Sequence, residues 1–185
     1  MNGHENEILN SETRERIAEE SNLAVVLVAG EESQIIAKAN NNSICEILYN
    51  SEQFAPRCAE FCGRAVPTAH EAGRAVHVKC HADLNFMTVP IKTEEKDFAV
   101  IVGRSFLKSE DFRKATERAS AGDWQQFPSE EMFANVLISG SEAELEKAAK
   151  KIASQSRVES RGSKVESETE SQISDSAFQS NEVVA

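Results

Sequence analysis

The chain has 185 residues, 40% of them hydrophobic, and 31 acidic side chains against 20 Lys and Arg leave a net charge of −11. That length supports one core with tails and excludes two substantial domains. The acidity repels polyphosphate over much of the surface and argues against direct nucleic-acid binding, while no apolar run approaches the ~20 residues needed to cross a bilayer, so no membrane partner is expected.

Residues 1 to 10 are polar, carry no hydrophobic signal region and are expected to be disordered, in a cytoplasmic protein. Residues 11 to 21 read as a short helix opened by Ser11, with Ile17 and Ala18 as its apolar face. Leu23 to Ala29, LAVVLVA, is an apolar run of strand length; Gly30-Glu31-Glu32 supplies a turn, and Gln34 to Ala39 returns as its hairpin partner. Asn40-Asn41-Asn42-Ser43 forms a loop and N-cap before Ile44, Ile47 and Leu48, which fall at helical spacing with Cys45 alongside. Helical spacing resumes from Ala55 to Gly73, where Phe61, Ala65, Val66 and Ala69 share a face, Pro67 forces a kink or a restart, and Gly73 suits a C-cap.

Val76, Val78 and Cys80 then alternate with His77, Lys79 and His81, a strand period that turns Cys80 inward and the two histidines outward. Leu84, Phe86 and Thr88 form one face of the next strand, which Pro90 ends. Phe98 to Phe106 is a further strand, and Gly103 within it marks a bulge or a close approach. Helices are expected from Ser109 to Ala121, from Ser129 through Met132, Phe133, Val136 and Leu137, and from the capping box Ser141-x-x-Glu144 through Leu145, Ala148, Ala149 and Ile152. The economical assembly is an α+β domain over 11–153 with an antiparallel sheet of about five strands flanked by helices. Residues 154–185, rich in Ser and Glu without a hydrophobic period, read as a disordered tail or linker.

Cys58, Cys62, Cys80 and His81 are the densest set of soft ligands. Thiolates four apart on a helix share a face and can reach one ion, with Cys80 as a third ligand and His81, His77 or Cys45 as a fourth, so zinc or an iron–sulfur cluster is one assignment. Small buried hydrophobes are the plain alternative, and a thiol redox pair is the third. Nothing supports catalysis: there is no HExxH, no Gly-rich phosphate loop and no GxSxG elbow, so the protein is not expected to be an enzyme.

The run RCAEFCGRAVPTAHEAGRAVHVKCHADLNFMTVPI, with its paired cysteines, the phrase Val-Lys-Cys-His-Ala-Asp-Leu, and a Val-Pro-Ile followed by a Gly-containing strand, resembles the ligand-binding sensory domain of the PocR regulator, a variant of the PAS-like fold. The resemblance implies a sensory domain for signal transduction or transcriptional regulation, holding a small organic ligand such as a short diol between sheet and helix and acting on an effector domain or partner protein. Homodimerisation is common among PAS-like domains. On that implication Phe61, Cys80, Phe86, Thr88, Val100 and Val102 line the pocket, each with plain core packing as its competing role. A ligand of five heavy atoms, at about −1.5 kcal/mol per atom, reaches a Kd of roughly several micromolar at best. Asp83 stands where the family pattern more often has Gly after His-Ala, which gives the ligand mouth a different turn. The alternative reading of the same cysteines is a metal or redox sensor.

Overall fold

A computed structural model of the chain describes residues 8–94 and 96–156. Helix α1 (Ser11–Ser21) leads into the hairpin β1 (Ala24–Ala29) and β2 (Gln34–Ala39), then α2 (Ser43–Tyr49), α3 (Ala55–Phe61) and α4 (Ala65–Ala72). Strands β3 (Val76–Lys79), β4 (Asn85–Lys92) and β5 (Asp97–Ser105) follow, then α5 (Ser109–Ala121), α6 (Ser129–Met132) and a last helix, α7, over 142–156. The sheet order is β2-β1-β5-β4-β3 with every pairing antiparallel, the α+β, PAS-like architecture that the sequence suggested.

Alternation along β1, β4 and β5 sends side chains to two differently covered faces. On one, Val25, Leu27, Met87, Val89, Val100 and Val102 pack under Ile17 of α1 and Leu145, Ala149 and Ile152 of α7. On the other, Val26, Val28, Phe86, Ala99 and Ile101 pack under Ala65, Val66 and Ala69 of α4. A third cluster closes the end of the sheet, where Ile44 and Leu48 of α2 meet Phe54, Leu84, Phe106 and Trp124.

Several local expectations shift, each for a definite reason. The N-cap of α1 is Asn10, whose side chain accepts from the Thr13 N–H at 2.8 Å, and Leu9 is fully buried, so the end of the segment expected to be disordered is part of the core. The expected helix over 55–73 divides into α3, a 3-10 turn at Cys62–Arg64, and α4: Pro67, lacking an N–H, is accommodated in the first turn of a restarted helix. The segment after Ser129 is helical for one turn only, because its later backbone groups are taken by Phe106, whose N–H donates to Leu137 O and whose carbonyl accepts from the Ser139 N–H. Helix α7 continues past 153 to 156, so the first three residues of the tail expected over 154–185 are helical, and the rest of it, 157–185, lies outside the described residues.

Candidate functional site

The four cysteines lie where the end cluster meets the face under α4. Cys45 and Cys58 pack with the end cluster, Cys62 with the α4 face, and Cys80 touches both. All four are free thiols, partly buried. Cys62 falls in the 3-10 turn rather than on the α3 helix, though its N–H still donates to Cys58 O. Cys80 lies just beyond β3, in the turn to β4, where its N–H donates to Leu84 O at 2.9 Å.

That turn overrides the alternation that would have sent His81 outward. His81 Nε2 lies 3.3 Å from Cys58 Sγ, and its ring sits parallel to Phe54 and tilted against Phe61 at centroid distances of 6.4 and 6.0 Å. Its Nδ1 is buried without a partner. Even so, no three His, Cys, Asp or Glu side chains among the described residues are grouped so as to hold a metal ion. The zinc or iron–sulfur assignment at Cys58, Cys62, Cys80 and His81 therefore gains no support from the geometry, and no step is derived through it.

Electrostatics points the same way for the redox assignment. Burial pushes the Cys58 thiol up to about 12 and Cys80 up to about 11, with the neighbouring sulfurs adding to the shift, and burial likewise raises Cys45 well above its ordinary value. These three remain protonated at neutral pH, the opposite of the thiolate character that a thiol redox pair needs.

Arg104, which the sequence reading passed over, is the charged centre of this cluster. Asn85 and Phe86 are consecutive on β4, yet they pair with Ser105 and Gly103 of β5, leaving Arg104 as an extra residue with φ +51 beside Gly103 at φ +123. A bulge of this kind re-aims a side chain. Here it directs Arg104 toward Cys62, Cys45 and Cys80, with a hydrogen bond to Cys62.

Arg104 as a whole is 3% exposed. Burial disfavours its charge, but at the high pH where a guanidinium titrates the surrounding sulfurs are ionised and favour it, so the net pKa is raised. One Nη donates to Asn41 Oδ1 at 2.8 Å, and Asn42 Nδ2 donates to the Arg104 carbonyl at 2.8 Å while Asn42 Oδ1 caps α2 at the Ile44 N–H. No carboxylate of the described residues pairs with it, and Nε has no partner. The sequence signal was Gly103, read as a bulge without following what the bulge would carry.

A cleft of about 190 Å³ opens onto this centre, lined by Ile35, Asn41, Cys45, Glu46, Tyr49 and Arg104 among others. At its mouth burial works against the charge of Glu46, but hydrogen bonds from Asn41 and Lys38 outweigh it and hold the carboxyl below its ordinary range.

The residues proposed from sequence to line a pocket divide between the two faces. Phe61, Cys80 and Phe86 come together on the α4 side. Thr88 shares that face, opposite Ile101 and Val76, and its hydroxyl is directed to Val76 O at 3.5 Å. Val100 and Val102 are buried on the opposite face with α1 and α7, because they pair with Val89 and Met87 rather than with Thr88 and Phe86. They cannot line a cavity with Phe61 or Cys80. No helix among the described residues is long and apolar enough to cross a membrane.

No curated protein and no solved structure matches the chain. A family model does: the one described as the sensory domain found in PocR matches residues 11–177, most of the chain and all of the sheet and cysteine cluster, and the protein belongs to that family of sensory domains.

Proposed function

We propose that this sensory domain takes a compact organic ligand into the cleft beside Cys45 and Arg104 and reports its presence through α7 to an effector domain or partner protein. The observation that carries the reading is the buried guanidinium with an unpartnered Nε at the base of a cleft, since a polar group sequestered without a partner is a cost that ligand binding removes. Size supports it as well. At about 190 Å³ the space is below the roughly 300–1,000 Å³ of drug-sized pockets and equals about six waters at about 30 Å³ each. Short diols and related oxygenated hydrocarbons, the class implied by the family resemblance, are of that size.

The route to α7 is short. A Cβ placed on Gly103 would come within 2.9 Å of Leu145 Cδ2, so α7 rests directly on the bulge that carries Arg104. A ligand that draws the guanidinium toward the cleft alters the surface on which Leu145 packs, and a change of state requires that the ligand bind the two arrangements with different affinity.

The test is a thermal-shift screen of polar two- to six-carbon compounds, with each hit re-measured by calorimetry on Cys45→Met, which fills part of the cleft. A compound that raises the Tm of the parent protein but not of the filled variant supports the reading. A hit whose affinity is unchanged by Cys45→Met places the ligand elsewhere and overturns it.

A further inference from the structure

The charges around the cleft narrow the class of ligand, on the reading that the cleft is the sensory site. At the mouth, Lys38 and Asn41 hydrogen-bond to Glu46, and Lys38 neutralises it, so the rim pair is charge-balanced. At the base, Arg104 is not: its recorded partners are the neutral amide oxygen of Asn41 and the sulfur of Cys62, and its Nε donates to nothing. Among the residues lining the cleft, the charge without an oppositely charged carboxylate or ammonium partner is therefore positive, forked and buried.

We propose that the ligand is a short-chain carboxylate whose anionic group pairs with the Arg104 guanidinium, its hydrocarbon part lying against Ile35, Cys45 and Tyr49. A carboxylate matches the planar guanidinium fork and supplies in one group both the missing acceptor for Nε and the missing counter-charge. A neutral diol supplies the acceptor only. The alternative source of negative charge is internal, a thiolate among the neighbouring sulfurs; burial raises the pKa of Cys45, Cys58 and Cys80 and keeps those three neutral near pH 7, and the fourth sulfur, Cys62, packs on the α4 face outside the cleft lining, which leaves the side of Arg104 that faces the cleft open. Ile35, Cys45 and Tyr49 offer apolar contact for two to four carbons, and the second cation of the lining, Lys38, is already paired with Glu46, which favours a monoacid over a polyanion.

Calorimetric titration of the full chain with propionate, lactate and 1,2-propanediol tests this, together with the variants Arg104→Met and Arg104→Lys, each verified as folded by circular dichroism and a cooperative melt. The expected result is that at least one acid binds the parent chain ten-fold or more tightly than the diol, that Arg104→Met abolishes acid binding, and that Arg104→Lys, retaining charge but not the fork, weakens it at least several-fold. If the diol binds as tightly as the acids and Arg104→Met leaves both unchanged, the carboxylate assignment is overturned while the cleft keeps its neutral ligand. If neither acid nor diol binds the parent chain, the assignment is overturned together with the cleft as the site.

Discussion

On the face of the sheet covered by α1 and α7 the packed side chains are aliphatic or aromatic, Val100 and Val102 among them, whereas the face covered by α4 gives way at one end to four thiols and a guanidinium. Both are buried, so burial alone does not distinguish a core from a site. What separates them is the buried charge of Arg104 at the end of the α4 face. An apolar face is complete once packed, while a buried cation with an unpartnered Nε leaves hydrogen-bonding capacity unmet.

The largest expected effect breaks the apolar side. Leu145→Ala removes a fully buried side chain that rests on the bulge, and denaturant unfolding is expected to show a loss of about 2–5 kcal/mol. A loss of under about 1 kcal/mol would mean that α7 is not an integral part of the core. Gly103→Ala strikes the junction between the two sides: a methyl there meets Asn85 O at 2.8 Å and Phe86 Cα at 2.9 Å, both backbone atoms, at a φ of +123. The expected cost is roughly 1–3 kcal/mol in the same assay, and a neutral outcome would show that the bulge relaxes freely.

The sign should reverse at Arg104. Arg104→Met replaces an unneutralised buried charge with an apolar chain of similar length, so the ligand-free protein is expected to be unchanged or stabilised by about 1 kcal/mol, read as a higher denaturation midpoint. Marked destabilisation would indicate that the guanidinium already has its counter-charge within the protein.

The smallest effect is one of pH. Burial, aided by the positive charges of Arg118 and Arg57, lowers the His81 pKa below 6.5, so the unfolded chain takes up this proton at a higher pH than the folded one. His81 therefore contributes stability that is present above about pH 6.5 and is lost as the pH falls toward its folded-state value. Melting curves at pH 7 and pH 5 should lie closer together for His81→Asn than for the parent; equal acid sensitivity would remove His81 from the account.

Much of the architecture was legible because it depends on local pattern. The apolar run at Leu23 to Ala29, the turn at Gly30 and the C-cap at Gly73 all declare themselves by composition and spacing, and the structure gives the five antiparallel strands they imply. Which face a strand residue joins depends instead on register, a relation between strands: the family resemblance put Val100 and Val102 in one pocket with Cys80, and pairing with Val89 and Met87 puts them on the other side. His81 departed from its expected direction because β3 ends at Lys79 and the turn at Asp83, with φ +60, reverses the chain before alternation can act. Arg104 escaped notice for a related reason. A lone arginine in an apolar strand reads as an edge or surface residue until the extra residue in the ladder brings it inside.

That extra residue has a genetic corollary. Loss of the single codon for Arg104 would leave Gly103 followed directly by Ser105, which are already the partners of Phe86 and Asn85, so the ladder would heal in the same frame with no charge beneath it. The buried charge and an uninterrupted ladder thus stand one in-frame deletion apart.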